Sequence, residues 1–146
     1  MKIIPATIDN LEKLLPLFEG YRRFYQQASN TEVARKFLSN RFNKKDSVIF
    51  ISYDDHEIAQ GFNQLYPSFS SVAMQRIFIL NDLFVHPKYR GKGIGKVLMN
   101  HAKKFALKKN SKGLTLETSI YNPAQRLYER LGWKKDTEVF HDTWEA

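Results

Sequence analysis

The sequence from Gln75 to Lys96, QRIFILNDLFVHPKYRGKGIGK, decides the fold of this protein. Its first half is rich in branched and aromatic residues, which predicts a strand from Gln75 to Val85. His86-Pro87 ends that strand, because proline donates no backbone hydrogen bond and restricts the residue before it. A glycine-rich turn and an amphipathic helix follow. We therefore expect a strand–turn–helix unit at the centre of the protein.

The turn between this strand and this helix predicts an anion site. It alternates three glycines with three cations: Gly91, Gly93 and Gly95 with Arg90, Lys92 and Lys96. Glycine tolerates positive φ, so consecutive backbone N–H groups can converge on a phosphate at the start of the helix. The spacing matches neither a Walker A loop nor a dinucleotide fingerprint. An ordinary glycine-rich turn stays open as the alternative.

The flanking sequence predicts further strands and helices. Before the turn we expect a strand at 2–6, two helices, a hairpin of strands at 47–53 and 57–66, and a loop at 67–71. After it we expect a helix at 94–106, a strand at 113–119, a short helix at 123–131, and a closing strand or strand pair at 133–144. Pro16 should kink or split the first helix unless it lies in the first turn of a second segment, because proline has no N–H. The order predicts a mixed α/β sheet.

Composition bounds the class of protein. The 146 residues suit a single domain, residues 1–146, and 42% hydrophobic residues can build its core. The chain has no cysteine, which excludes disulfide scaffolds, cysteine zinc sites and cysteine thioester chemistry. No histidine spacing suggests a metal. The N-terminus does not resemble a signal peptide and no apolar run could span a membrane, so we expect a soluble, cytoplasmic protein.

The charge of the chain is unevenly distributed. The net charge is +8, and residues 83–116 hold no Asp or Glu but nine basic residues: Lys88, Arg90, Lys92, Lys96, Lys103, Lys104, Lys108, Lys109 and Lys112. Their concentration around one phosphate turn favours a ligand with several phosphates over nucleic acid, which would need its own recognition motif. After Lys135 the charge is reversed: the segment contains Asp136, Glu138, Asp142 and Glu145 but no Lys or Arg. This acidic end could face a cationic substrate or blunt an exposed sheet edge.

Two segments together resemble the GNAT superfamily of N-acetyltransferases. The family's Gln/Arg-x-x-Gly-x-Gly/Ala motif is met by Arg90, Gly93 and Gly95. The segment 114–133, with LTLET followed by NPAQRLYERLGW, is similar to the family's next strand and helix. The resemblance covers essentially the whole chain. It implies the GNAT fold, a mixed and mostly antiparallel twisted sheet that is flanked by helices and has splayed central strands.

The resemblance also implies a site for acetyl-CoA. The turn would hold its pyrophosphate, mainly through backbone amides, and the strand that ends at Val85 would pair with its pantetheine arm. The Val85 N–H would polarise the acetyl carbonyl. The implied cofactor-binding residues are Phe84, Val85, Arg90, Gly91, Lys92, Gly93, Ile94, Gly95, Lys96 and Asn122. Contact by Asn122 stays open, because the turn before its helix is one residue shorter than is usual in the family.

Two residues are the candidates for catalysis. Tyr128 lies where many family members keep a tyrosine aimed at the CoA sulfur, although its helical spacing equally fits a core position. A tyrosine is a weaker acid than a thiol, so Tyr128 would assist thiolate departure by a hydrogen bond or a late proton transfer. The attacking amine must lose a proton, and Asp82 and Glu117 are the nearby carboxylates. Asp82 is our candidate for a structural or water-mediated base.

The sequence thus predicts an N-acetyltransferase that acts by direct attack in a ternary complex. It most resembles the polyamine and histone-type branch, but Asn81 stands where polyamine acetyltransferases carry Glu, which weakens that assignment. The acceptor could be a polyamine, an amino acid, an aminoglycoside or a protein lysine. The alternatives are a CoA-binding sensor without turnover and a basic nucleic-acid-binding module. Related enzymes often dimerise through their C-terminal strands, so a homodimer is a further expectation.

Overall fold

The computed structural model describes all 146 residues and contains a five-stranded sheet with the order β1-β2-β3-β4-β5. The strands are β1 (Lys2–Pro5), β2 (Val48–Tyr53), β3 (Ala59–Ser70), β4 (Gln75–Val85) and β5 (Leu114–Thr115). Strands β1 to β4 pair with one another in antiparallel fashion, and β5 pairs with β4 in parallel fashion. The helices are α1 (Leu11–Phe24), α2 (Thr31–Lys44), α3 (Ile94–Lys108) and α4 (Gln125–Arg130). The mixed, mostly antiparallel sheet is confirmed.

Helices cover both faces of the sheet. On one face, α1 and α2 pack over the inward side chains of β2, with Leu14, Leu38 and Ile51 fully buried. On the other face, α3 and Tyr128 of α4 pack over Leu65 and other residues of the central strands. Each helix buries one apolar stripe, which is why the hydrophobic spacing located them correctly. The two clusters leave the carboxyl end of β4 between them.

A β-bulge interrupts β4 close to that end. Gln64 of β3 pairs with Asp82, but the next residue of β3 pairs with Leu80, so Asn81 is an extra residue without a partner. A bulge of this kind shifts the alternation of side chains by one position. Phe78 and Leu80 face α3 before it, Leu83 and Val85 face α3 after it, and Phe84 faces α1. The bulge therefore places Asp82 and Phe84 on the α1 side.

Strands β4 and β5 separate soon after they meet. Their pairing consists of Phe78 with Leu114 and Ile79 with Thr115, whereas β4 continues to Val85. The strand predicted at 113–119 is thus only two residues long. The splayed central strands are confirmed, and their separation leaves one hydrogen-bonding edge of β4 unpaired.

One expectation about prolines was wrong, and of the other, a kink or a split at Pro16, only the split is excluded. The loop predicted at 67–71 is mostly strand, because β3 runs to Ser70 and Pro67 pairs with Phe78. Pro67 is tolerated there because β2 ends its pairing at Leu65, so the missing N–H faces an open edge. Helix α1 is also continuous through Pro16 and not split.

The closing strand predicted at 133–144 is absent. Residues 133–146 form no helix or strand. Trp133 packs against the α3-side core, whereas Val139, Phe140 and Trp144 are exposed, Phe140 at 97%. The alternation in this segment is typical of a strand, but β5 offers only two residues to pair with. A homodimer through this segment stays a prediction. None of the helices has the length and apolar character that crossing a membrane requires.

Candidate active site

A groove of about 360 Å³ opens where β4 and β5 separate. Its floor is the end of β4, one wall is the glycine-rich turn with the first turn of α3, and the other is the segment that leads into α4. Ten of the twelve predicted site residues line it: Phe84, Val85, Arg90, Gly91, Gly93, Ile94, Gly95, Lys96, Asn122 and Tyr128. The tertiary structure thus gathers residues from three separate segments into one cleft.

The glycine-rich turn presents backbone donors to this groove. Gly91 and Gly93 have φ of 75° and 80°, the left-handed conformation that favours glycine. Gly93 is the N-cap of α3 and has no side chain to satisfy the free N–H groups of the first helical turn. Gly95 does not have the positive φ of Gly91 and Gly93, and a Cβ there would make only an ordinary contact with Leu127 at 3.5 Å. The start of α3 is therefore an uncapped, positively polarised end.

Arg90 is held against the floor of the groove. Its Nε donates a hydrogen bond of 2.9 Å to the Val85 carbonyl, and its guanidinium lies 5.4 Å from the ring centre of Phe84. The remaining N–H donors of the guanidinium are left for a ligand. Lys92 does not line the groove; its ammonium lies 5.6 Å from the ring centre of Tyr89.

The unpaired edge of β4 adds backbone donors. The N–H of His86 donates to the Gln60 carbonyl of β3 at 2.9 Å. Because backbone groups alternate along a strand, the N–H groups of Val85 and Leu83 point the other way, toward the groove. The Val85 carbonyl confirms this direction by accepting from Arg90. The groove thus offers an incoming extended chain a free strand edge.

Tyr128 belongs both to the core and to the lining of the groove. It packs in the α3-side core and is only 6% exposed, and it also lines the groove. Burial, with a smaller effect of Tyr25, raises the pKa of the Tyr128 hydroxyl to about 12. The hydroxyl is therefore protonated at neutral pH and carries a proton that it can donate in a hydrogen bond.

Asp82 does not line the groove. It is 2% exposed, and its two carboxylate oxygens accept hydrogen bonds of 2.7 Å from the side-chain amides of Gln64 and Asn81. Burial raises the pKa of Asp82, and the hydrogen bonds from Asn81 and Gln64 oppose that effect. Asp82 is thus a buried, hydrogen-bonded carboxylate and not one that a substrate touches directly.

Two other candidates have structural partners. Asn122 lines the groove, but its amide donates to Thr118 at 2.8 Å and its oxygen accepts from the Ala124 N–H at 3.0 Å. These contacts hold the loop before α4. Glu117 lies outside the groove and pairs with His141 at 3.0 Å.

Some groove residues escaped the sequence analysis. They are Phe24, Leu83, Tyr89, Pro123, Ala124, Leu127 and Arg130. Most of them are sequence neighbours of predicted site residues. The helical spacing of Ala124 and Leu127 with Tyr128 is a signal that identifies two of them. Phe24 comes from α1, sixty residues before the other residues of the floor, and only the packing of α1 on β4 brings it there.

No metal-binding arrangement accompanies the groove. The structure brings together no group of three His, Asp or Glu side chains that could hold a metal ion. His86 instead caps a short 3-10 turn by accepting from the Lys88 N–H, and His101 packs against the ring of Phe50.

Comparison with known proteins identifies the family. The model of the acetyltransferase (GNAT) domain matches residues 45–135, which is more than half of the chain. This chain belongs to the GNAT acetyltransferases. A Bacillus subtilis protein described as an uncharacterized N-acetyltransferase, YhfO, is 46% identical over 142 residues, covering 97% of this chain and 95% of its own. A probable acetyltransferase of Haemophilus influenzae is 38% identical, covering 88% and 97%.

A solved structure supports the same assignment. The crystal structure of a probable acetyltransferase superposes with a TM-score of 0.94 at 39% identity, covering 100% of this chain and 98% of that one. The predicted GNAT fold and acetyltransferase activity are confirmed. GNAT acetyltransferases use acetyl-CoA as co-substrate. The matched range contains the glycine-rich turn, the end of β4 and Tyr128, so the family match and the groove coincide.

Proposed function

We propose that residues 1–146 form one N-acetyltransferase domain, which transfers acetyl from acetyl-CoA to a primary amine by direct attack in a ternary complex. One observation carries the proposal: the uncapped start of α3, the unpaired edge of β4 and the Tyr128 side chain face a single groove. An anion site, a strand edge and a proton donor are the three features that binding and cleaving a phosphorylated thioester requires.

The glycine-rich turn would bind the pyrophosphate of acetyl-CoA. The free N–H groups at the start of α3 suit phosphate oxygens, and the helix dipole adds typically 0.3–1 kcal/mol for an exposed group. Arg90 and Lys96 bring formal charge to the same wall. Lys92 would act only through its charge, because it lies outside the groove.

The edge of β4 would bind the pantetheine arm as an added strand. The N–H groups of Leu83 and Val85 point into the groove, and an extended chain with amides can pair with them. The Val85 N–H would then polarise the acetyl carbonyl and stabilise negative charge on its oxygen as the amine attacks.

Tyr128 would assist departure of the CoA thiolate. Its hydroxyl is protonated at neutral pH because burial raises its pKa to about 12. This value lies well above a thiol's ~8.5, so complete proton transfer to the thiolate is unfavourable. A hydrogen bond or a late transfer is the role that fits both values.

Asp82 would take up the amine proton indirectly. A lysine-like amine has a pKa of ~10.4, so forming its neutral state at pH 7 costs roughly 4–5 kcal/mol. Burial raises the pKa of Asp82, which makes it a stronger base than an exposed carboxylate. Because Asp82 is buried, the proton would have to pass through water or a neighbouring side chain.

The proposal is tested by acetyl-CoA consumption across a panel of primary amines, with thermal shift by CoA measured alongside. We expect CoA stabilisation and turnover on at least one amine. Arg90→Ala should weaken CoA stabilisation, whereas Lys108→Ala, which removes a cation from the far end of α3, should not. Absence of CoA stabilisation would refute the proposal. Stabilisation without turnover on any amine would instead indicate a sensor.

A further inference from the structure

The buried carboxylate of Asp82 has no cationic partner in the protein. None of the ion pairs includes it, and its two hydrogen-bonding amides, from Gln64 and Asn81, are neutral. Both oxygens accept from N–H donors, an arrangement that suits the ionised form. A buried charge without a counter-charge is costly, so a cation that binds near Asp82 from outside the protein would offset that cost.

A second buried group nearby also lacks a partner. Gln64 is fully buried, its amide nitrogen donates to Asp82, and its Oε1 receives no hydrogen bond. Buried polar atoms nearly always have partners, and each exception calls for an explanation. The carboxylate without a cation and the acceptor without a donor lie side by side. Together they give this part of the α1-side core an excess of acceptors and of negative charge, which favours a positively charged group at the nearest accessible position.

Tyr21 provides the accessible contact to this pair. It is half-buried on α1, and its hydroxyl donates to the Asn81 carbonyl at 3.0 Å, at the bulge beside Asp82. A hydroxyl donates once but accepts up to twice, so the Tyr21 oxygen keeps acceptor capacity. Since its proton is directed toward the protein, an approaching group meets an acceptor next to a negative charge.

Aromatic rings extend this spot toward the groove. The ring of Tyr25 lies edge-to-face against Tyr21 at 5.1 Å and against Phe24 at 5.2 Å. Phe24 lines the groove with Tyr128, and both Phe24 and Tyr25 are exposed. Exposed aromatic faces attract ammonium groups, typically by ~0.5–1 kcal/mol.

The contact between Tyr21 and Asn81 lies at some distance from the phosphate-binding end of β4. Asn81 is four residues before Val85, which corresponds to about 13 Å along the strand.

We propose that Tyr21, together with the Asp82–Gln64 pair and the rings of Phe24 and Tyr25, forms the acceptor subsite and selects an alkylammonium without a neighbouring carboxylate. The proposal rests on the proposed function, because it assigns the amine side of that same reaction. The amine N–H donates to the Tyr21 hydroxyl, and the Asp82 carboxylate supplies the compensating charge. A carboxylate beside the amine would bring a second negative charge close to that of the buried Asp82 and be repelled.

The test compares hexylamine with norleucine, which has the same alkyl chain and a carboxylate beside its amine. Ligand-observed NMR titrations on the full chain, with and without saturating CoA, measure binding without turnover. We expect hexylamine to bind at least about tenfold more tightly than norleucine. Tyr21→Phe keeps the ring and should weaken hexylamine binding about tenfold, the effect of one hydrogen bond to a charged group. Thermal unfolding confirms that the variant folds.

Two controls locate the effect. Tyr66→Phe removes a second tyrosine hydroxyl that lies within electrostatic range of Asp82 but makes no hydrogen bond to it, and should leave hexylamine binding unchanged. Asp82→Asn should weaken hexylamine but not norleucine. Tighter binding of norleucine than of hexylamine would overturn the proposal, as would hexylamine binding that Tyr21→Phe leaves unchanged. Loss of CoA binding in the unsubstituted protein would instead refute the proposed function.

Discussion

The Tyr21 hydroxyl donates a 3.0 Å hydrogen bond to the carbonyl of Asn81, the extra residue of the β4 bulge. The bulge removes Asn81 from the ladder with β3, and α1 supplies Tyr21 in place of a strand partner. This contact ties α1 to the sheet beside Asp82. It also places an aromatic residue of the first helix next to the groove in which the cofactor-binding residues meet.

Replacement of Tyr128 tests its role as a proton donor. We expect Tyr128→Phe to lower kcat at saturating acetyl-CoA by about ten- to a hundredfold, at the low end of general acid effects. Because the pKa of Tyr128 is about 12, the plot of kcat against pH for the unsubstituted enzyme should show no decrease from ionisation of Tyr128 between pH 6 and 10. Tyr121→Phe, at an exposed tyrosine outside the groove, is the matched control. An unchanged kcat would remove Tyr128 from the mechanism.

A pair of glycines separates backbone strain from CoA binding. Gly93 and Gly132 both have positive φ, and a Cβ would meet no atom within 4 Å at either site. Alanine at each should therefore cost a similar ~1 kcal/mol of stability. Only Gly93→Ala should also weaken CoA affinity, because only Gly93 lines the groove. Thermal unfolding and CoA titration measure the two effects, and equal CoA affinity in both variants would contradict the assignment of the turn.

Gly61 of β3 should be intolerant of a side chain. Its Cβ would lie 2.7 Å from the Phe84 carbonyl oxygen, a backbone atom of the central strand. We expect Gly61→Ala to lower the free energy of unfolding by about 1–3 kcal/mol, because β3 and β4 must shift apart. Gly113→Ala, where a Cβ has open space and φ is not positive, should change stability by less than about 0.5 kcal/mol. Urea unfolding of the two variants checks the difference.

The buried Asp82 should make stability depend on pH. Its pKa is raised in the folded protein, so the folded state holds this proton more tightly than the unfolded state does. Its contribution therefore favours folding at low pH and is lost as pH rises from about 3.9, the unfolded value, through the folded pKa. The free energy of unfolding of the unsubstituted protein minus that of Asp82→Asn should accordingly fall between pH 4 and pH 7.5. A constant or rising difference in urea titrations would show that Asp82 is not perturbed in this direction.

Sequence reasoning found the strand–turn–helix unit because all its cues are local. The β-rich run ends at His86-Pro87, Gly93 takes the positive φ at the helix N-cap, and α3 follows with its apolar stripe. The family motif depends on the same spacing. By contrast, the local pattern at Pro67 predicts a loop. A proline fits into β3 at this position only because β2 stops pairing at Leu65, and no local pattern shows where that pairing ends.

The sequence by itself determined the family, the sheet with its helices, and the residues of the phosphate-binding turn, since each follows from spacing within a short segment. Only the tertiary structure decided what surrounds Asp82. The bulge at Asn81 sets which face its side chain takes, Gln64 comes from the neighbouring strand, and Tyr21 comes from a helix sixty residues earlier. Burial and long-range pairing are properties of the packed chain, and they place the candidate base of the sequence as a buried, hydrogen-bonded carboxylate outside the groove.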